Sequence, residues 1–167
     1  HAMATAAIRF REEHPELPIF LVAKSGGSGV VIKALERVPS GCVDRAILLA
    51  PALSPDYDLT SALRGVSRDL TVFWSPLDLF VLGAGTRIFG TIDRIRSVSA
   101  GLVGFRPPST VGEGPGPWDG YAKLRQIRWR PSMIRTGYFG GHIGPDSPVF
   151  LRMYVAPLLR PEVATVL

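Results

Sequence analysis

The sequence predicts an α/β protein in which a parallel sheet carries helices on its faces. Short apolar runs alternate along the chain with segments of helical character, a pattern that is typical of βαβ units. The chain has 167 residues, of which 46% are hydrophobic and 20% charged, so it is long enough to bury a core of its own. We therefore expect one domain spanning residues 1–167.

The first part of the chain predicts a helix, a strand and a second helix. Residues 4–16 mix apolar and charged side chains and end in a proline turn, as a helix does. Residues 19–23 form a continuous apolar run between turn signals, which is typical of a strand buried on both faces. A turn of small residues then leads into a helix at 26–38. The expected apolar stripe of that helix consists of Val30, Val31, Ala34 and Leu35.

The rest of the chain continues the alternation. Strands are predicted at 43–50, 70–74 and 126–129, and helices at 59–66, 79–89 and 148–159. Residues 106–120 are rich in Pro and Gly and predict a long loop within the domain. We expect the four strands to lie side by side in sequence order, with the strand at 19–23 on one edge.

Composition narrows the classes of partner. The net charge is +5, but the arginines are scattered and form no dense basic block, so we expect no nucleic-acid partner. No apolar run approaches the roughly 18 residues that a membrane span needs. The single Cys42 cannot form an internal disulfide, which fits a reducing compartment, and we expect a cytoplasmic protein. No group of His, Cys and carboxylate residues has the spacing of zinc ligands, so no metal or cofactor is expected.

A candidate nucleophile follows the first predicted strand, in residues 21–27 (LVAKSGG). A serine on a tight strand-to-helix turn needs small residues two before and two after it, because larger side chains would collide. Ala23 and Gly27 meet this need around Ser25. Ser28 is the competing candidate, but Val30 is too bulky for its trailing position.

Two further motifs follow at later strand ends. Residues 74–78 (WSPLD) place Asp78 in the turn after the third strand, and residues 138–144 (YFGGHIG) place His142 among glycines. A serine elbow, an acid and a histidine in this chain order resemble the α/β-hydrolase family, and the resemblance covers residues 4–159. The alternative acids are Asp56, Asp58 and Asp93, each more typical of a cap or a surface charge, and the other histidines are His1 and His14.

The resemblance implies a serine hydrolase, similar to carboxylesterases and lipases, that cleaves an ester or related acyl bond of a small molecule through an acyl-enzyme. Ser25 would attack the substrate, His142 would act as general base and then general acid, and Asp78 would fix the imidazole tautomer. The N–H of Gly26 would supply one oxyanion donor. The alternative is a non-catalytic scaffold of α/β-hydrolase type that binds a ligand or a partner.

The sequence departs from the family pattern in three places. Ala23 stands where glycine is commoner, and Lys24 stands where many members have histidine. The family's sheet also has several strands before the elbow, and one of their loops donates a second oxyanion N–H; these strands are absent from this sequence. We therefore expect a partial domain whose edge strand at 19–23 pairs with another chain or with a segment outside this sequence.

Overall fold

A computed structural model describes residues 1–78, 98–107 and 120–160 of the chain. Its strands are β1 (Phe20–Lys24), β2 (Val43–Leu49), β3 (Val66–Trp74) and β4 (Leu124–Arg128). Its α-helices are α1 (Ala2–Glu13), α2 (Gly27–Leu35), α3 (Thr60–Gly65), α4 (Ala100–Val103) and α5 (Pro148–Phe150). Short 3-10 turns occupy Gly120–Lys123, Pro131–Thr136 and Gly144–Asp146.

The described strands form one parallel sheet in the order β1-β2-β3-β4, as the sequence predicts. The register pairs Lys24 with Leu49 and Trp74 with Arg128, so all four strands end at one edge of the sheet. Ligand sites of open parallel sheets lie outside the carboxyl ends of the strands. The loops that follow β1, β3 and β4 therefore meet at the edge where chemistry is expected.

Apolar side chains cover the sheet on both faces. On one face, Leu48 of β2 and Val72 of β3 pack with Leu35 of α2 in a fully buried cluster. On the opposite face, Ile47 and Phe73 pack with the C-terminal residues of the described chain, and the ring of Phe150 lies edge-on to Phe73 at 5.3 Å. Strand alternation explains this division, because successive side chains of a strand point to opposite faces.

A buried ion pair holds the C-terminal segment on the second face. Arg45 of β2 lies 2.8 Å from Asp69 of β3, and both side chains are only 9% exposed. The same guanidinium donates to the backbone carbonyl of Leu158, and the hydroxyl of Thr71 donates to the second oxygen of Asp69. The pair therefore fixes the end of the described chain against the sheet that carries the candidate site.

Strand β1 is less buried than the sequence predicts. Its residues are half-buried and Val22 is 43% exposed, whereas the apolar run predicts a strand covered on both faces. No described strand pairs with its free side. The apolar stripe of α2 also differs, because Val30 is 57% exposed while Ile32 is fully buried in its place.

Other element boundaries differ in ways that have a local cause. Strand β3 begins at Val66 rather than residue 70, because its polar residue Asp69 is held inside the sheet by Arg45. The predicted helix at 148–159 is α5 followed by a π-helical turn at Leu151–Val155 and a 3-10 turn at Ala156–Leu159. The predicted helix at 79–89 lies outside the described residues, as do residues 108–119 of the predicted loop.

None of the helices that the structure describes has the length and apolar character to cross a membrane.

Candidate active site

Ser25 occupies the turn between β1 and α2 with a backbone conformation that non-glycine residues rarely adopt. Its φ is +50°, in the left-handed region. The Ser25 N–H donates to the carbonyl of Leu49 at 2.9 Å, which ties the turn to the end of β2. Backbone strain of this kind is concentrated at functional sites, where the surrounding structure holds it in place. The predicted strand-to-helix turn at Ser25 is therefore present.

The small residues around Ser25 face each other as the elbow pattern requires. A Cβ atom added at Gly27 would lie 3.6 Å from the Cβ of Ala23, which is ordinary contact. Alanine would therefore fit at position 27. Gly26 is exposed and precedes α2 as its N-cap, and among the described hydrogen bonds its N–H has no acceptor. That N–H is free to bind an oxyanion.

Ser28, the competing nucleophile, is fully buried in the first turn of α2. Its hydroxyl has no hydrogen-bond partner in the described part of the chain. Because a nucleophile must reach substrate, Ser28 is poorly placed for catalysis whereas Ser25 is half-buried at the surface.

Asp78 lies in the turn that follows β3 and is only 2% exposed. The turn is closed by two hydrogen bonds to Ser75: the Asp78 N–H donates to its carbonyl at 3.1 Å, and the Leu77 N–H donates to its hydroxyl at 3.2 Å. Residues 74–78 (WSPLD) thus form a tight turn, and the Asp78 side chain lies beneath the surface of the loop. Its carboxylate is held away from solvent.

His142 lies on the loop after β4 and contacts Asp78. The distance between His142 Nδ1 and Asp78 Oδ2 is 3.1 Å, so the protonated Nδ1 can donate to the carboxylate. Gly140 lets this loop approach the aspartate turn: its φ is +89°, and a Cβ there would lie 2.8 Å from the side chain of Leu77. The structure therefore brings together two of the three predicted catalytic residues, 64 positions apart in sequence.

Ser25 lies at the same edge of the sheet but is not bonded to the histidine. Strand β2 separates β1 from β3, so the two strand ends are about 10 Å apart at 4.8 Å per strand. Within the described residues the hydroxyl of Ser25 makes no hydrogen bond, and the only recorded partner of His142 is Asp78. While Nδ1 is bonded to Asp78, Nε2 is the ring nitrogen that has no partner among the described residues.

An ion pair joins the elbow to the histidine loop. Lys24, the residue before Ser25, places its ammonium 2.6 Å from the carboxylate of Asp146, four residues after His142. The exposed fractions are 27% for the lysine side chain and 48% for the aspartate. Sequence reasoning missed this contact, because nothing in the local pattern links positions 122 residues apart.

An apolar pocket of about 270 Å³ lies beside the imidazole. It is lined by Gly137, Phe139, Gly141, His142, Ile143 and Gly144. Phe139 is 69% exposed and Ile143 is 80% exposed, although both are large hydrophobic residues. Exposed apolar side chains that line a pocket next to a titratable group are typical of a ligand site.

Tyr138 is a buried phenol behind the histidine loop, and sequence reasoning also missed it. Its side chain is 1% exposed. Burial, followed by the negative charge of Asp78, raises the pKa of Tyr138 to about 12, although the Ser75 hydroxyl acts in the opposite direction. The phenol therefore keeps its proton at any physiological pH and lies within electrostatic reach of the candidate acid.

The alternative acids have other roles where the structure describes them. Asp56 faces Arg106 at 3.5 Å on the surface. Asp58 accepts from the Thr60 N–H at 2.9 Å at the start of α3, and hydrogen bonds from Thr60 lower the pKa of its carboxyl. Asp93 lies outside the described residues.

Of the other residues that could react, His14 and Cys42 have structural surroundings in the described part of the chain. His14 follows α1 as its C-cap, and its ring packs against that of Phe10 at 4.9 Å. Cys42 is buried, and burial raises the pKa of its thiol, so it behaves as a core residue. In the described ranges no three His, Cys, Asp or Glu side chains are grouped in a way that could hold a metal ion.

Comparison with known proteins gives one match. A protein-family model described as "Serine aminopeptidase, S33" matches residues 3–87, just over half of the chain, a range that includes Ser25 and Asp78 but ends before His142. A search of curated proteins and a search of solved structures each found no match.

Proposed function

Because the chain belongs to the serine aminopeptidase S33 family of α/β-hydrolases, we propose that it is a serine hydrolase with Ser25, Asp78 and His142 as its catalytic triad. Family membership indicates a hydrolase scaffold. We propose the reaction and the roles of the three residues. The observation that carries it is the 3.1 Å contact between His142 Nδ1 and Asp78 Oδ2, at the sheet edge where the strained Ser25 lies.

The roles follow from the chemistry of these groups. A serine hydroxyl is a weak nucleophile until a base takes its proton, and the unbonded Nε2 of His142 is the base in reach of this edge. Asp78 accepts from Nδ1–H, which keeps the lone pair on Nε2 and stabilises the imidazolium that forms. The buried position of Asp78 strengthens this contact, because little water competes for the carboxylate.

The turn at Ser25 also supports the oxyanion of the tetrahedral intermediate. The N–H of Gly26 has no acceptor among the described residues and lies at the start of α2, where the helix dipole is positive. A preorganised donor of this kind stabilises charge that develops only in the transition state.

The pocket beside His142 favours an ester with an uncharged acyl group. Phe139 and Ile143 offer apolar walls, and the pocket's described lining holds no carboxylate. An aminopeptidase substrate carries an N-terminal ammonium that needs an anionic partner. The nearest surface carboxylate on this loop, Asp146, is already paired with Lys24. These contacts support hydrolysis of a neutral ester or related acyl compound.

Hydrolysis of p-nitrophenyl acetate tests the proposal. The wild type should release nitrophenolate with a burst as the acyl-enzyme forms, and Ser25→Ala should abolish the burst and the turnover. Ser28→Ala is the matched control, because Ser28 is buried three residues away on the same helix start and should keep activity. Equal turnover by Ser25→Ala and wild type would exclude Ser25 as the nucleophile, and a wild-type rate no higher than the uncatalysed rate would favour the non-catalytic scaffold.

A further inference from the structure

Two buried oxygen atoms near the catalytic acid lack hydrogen-bond partners. They are Asp78 Oδ1 and the hydroxyl of Tyr138, neither of which has a partner among the described residues. Both side chains are almost fully buried, at 2% and 1% exposed. Burying a polar group without a hydrogen bond is strongly unfavourable. The two atoms belong to loops that the contact between His142 and Asp78 joins, so a group that lies between these loops could bond both atoms.

Tyr138 is fixed in place and cannot reach water by turning outward. Its ring meets Phe150 edge-on at 5.0 Å, and a Cβ added to Gly144 would lie 2.1 Å from its Cδ2. Its carbonyl accepts from the indole N–H of Trp129 at 2.9 Å. The hydroxyl must therefore find its acceptor inside the protein.

Ser75 has the bonding capacity to join the two atoms. Its side chain is fully buried, and its hydroxyl already accepts from the Leu77 N–H. A serine hydroxyl has one further lone pair and one proton to donate. It can accept from the phenol of Tyr138 and donate to Asp78 Oδ1, so that hydroxyl rotation and small side-chain shifts satisfy all three groups. The loop that begins at Tyr138 lies against this hydroxyl, because a Cβ added at Gly140 would lie 3.2 Å from Ser75 Oγ.

We propose that Tyr138 is a positioning residue whose hydroxyl begins a hydrogen-bond chain through Ser75 to Asp78 Oδ1. The chain holds one carboxylate oxygen and leaves the other, Oδ2, for His142. This role rests on the proposed function, in which Asp78 orients the imidazole. The hydrogen bonds themselves can be tested whether or not the protein is a hydrolase.

The hydrogen-bond chain should affect how kcat/KM depends on pH. Hydrogen bonds donated to a carboxylate make it a weaker base and so weaken its hold on the imidazolium. Without the phenol, the carboxylate would hold the protonated imidazole more tightly. The acidic limb of kcat/KM should then move to higher pH in Tyr138→Phe, whereas loss of packing alone would leave it in place.

The first test is whether removal of the Tyr138 hydroxyl raises or lowers the melting temperature, Tm. Tyr138→Phe keeps the ring that packs on Phe150 and removes only the hydroxyl. If the hydroxyl is bonded, its removal lowers Tm; if it is unbonded, its removal leaves Tm unchanged or raises it. Tyr154→Phe is the control, because Tyr154 stacks on the same Phe150 at 4.9 Å and no recorded contact links it to Asp78.

The second test is a double-mutant cycle in urea unfolding with Tyr138→Phe and Asp78→Ala. The proposal predicts that the two losses are coupled, since each removes an end of the same chain. Additive effects on the free energy of unfolding, together with an unchanged or raised Tm in Tyr138→Phe, would show that the hydrogen-bond chain does not form. Coupled effects with an unmoved acidic limb would overturn the positioning role. The unfolding cycle needs no turnover, so failure of the chain and failure of the proposed hydrolase are told apart.

Discussion

Asp78 Oδ2 lies 3.1 Å from His142 Nδ1, which joins the turn after β3 to the loop after β4. The carboxylate is 2% exposed while the histidine side chain is 21% exposed, so the acid lies below and the imidazole reaches the surface. This is the arrangement that orientation of a catalytic base requires: one ring nitrogen fixed from the protein side and the other presented to substrate.

Replacement of Asp78 by Asn should keep the fold and lower kcat by up to about 10⁴-fold, because the amide favours the wrong imidazole tautomer. The measurement is kcat for p-nitrophenyl acetate at neutral pH, with circular dichroism as a check of folding. Asp56→Asn is the control, since Asp56 pairs with Arg106 at the surface and should keep wild-type activity. Unchanged kcat in Asp78→Asn would move the role of acid to another residue.

The order of strands and the positions of the candidate residues could be predicted from the sequence. Continuous apolar runs mark parallel strands, and the loops that follow them share one edge of the sheet. Ser25, Asp78 and His142 were placed at such loops, and the structure brings the last two into contact. Small residues around Ser25 predicted its tight turn, and its φ of +50° is the backbone counterpart of that pattern.

What the sequence could not predict depends on contacts between distant residues. The sequence predicts a third strand that begins at residue 70, yet Arg45 pairs with Asp69 inside the sheet and β3 begins at Val66. Val30 fits a helical stripe by period, but it faces solvent because no described element packs there. No sequence motif marks Tyr138, and its burial near Asp78 can be seen only in the structure.

Gly144→Ala should displace the loop that carries His142. A Cβ there would lie 2.1 Å from the ring of Tyr138, which is itself fixed by Phe150, so the backbone must move. We expect a loss of about 1–3 kcal/mol in the free energy of unfolding and a fall in kcat/KM of about 10²-fold. Urea denaturation and ester hydrolysis measure the two effects.

Gly141→Ala is the matched control for stability. It lies on the same loop, and a Cβ there meets no atom within 4 Å. Its free energy of unfolding should stay within about 0.5 kcal/mol of wild type. Equal destabilisation by the two alanines would show that the crowding at Gly144 is not the cause.

The pair between Lys24 and Asp146 should matter more for activity than for stability. Both side chains are partly exposed, and such pairs contribute about 0–1 kcal/mol to folding. Lys24→Met should therefore change the unfolding free energy by less than about 1 kcal/mol. It should also lower kcat severalfold, because the histidine loop loses its tie to the elbow.

The control for this pair is Arg9→Met, which removes a comparable 2.7 Å contact with Glu13 on α1. It should change neither kcat nor KM. Because surface pairs are screened by salt, the difference in kcat between wild type and Lys24→Met should shrink at 1 M NaCl. A salt-independent difference would point to packing of the lysine stem instead.

The free edge of β1 should pair with a further strand. Within the described chain that edge has no partner, and Val22 of the same strand is 43% exposed. Exposed apolar edge strands tend to pair with other strands, and natural proteins cover such edges or place charged residues on them. We expect a strand from another chain, or from a segment outside this sequence, to bond there and to supply the second oxyanion donor.

Sizing by light scattering, followed by a crystal structure of the species found, measures this pairing. Hydrogen exchange at the β1 amides should be slow in the paired state. A monomer with this edge open to solvent and fast exchange at Val22 would contradict the expectation.

Covalent labelling of the full chain with a fluorophosphonate tests the central claim, that Ser25 is the nucleophile, most directly. The probe reacts with a serine that a neighbouring base activates, and peptide mass spectrometry locates the adduct. The account predicts a single adduct on Ser25, lost in Ser25→Ala, strongly reduced in Asp78→Asn and retained in Ser28→Ala. An adduct on another residue, or no adduct on Ser25 in the wild type, would contradict it.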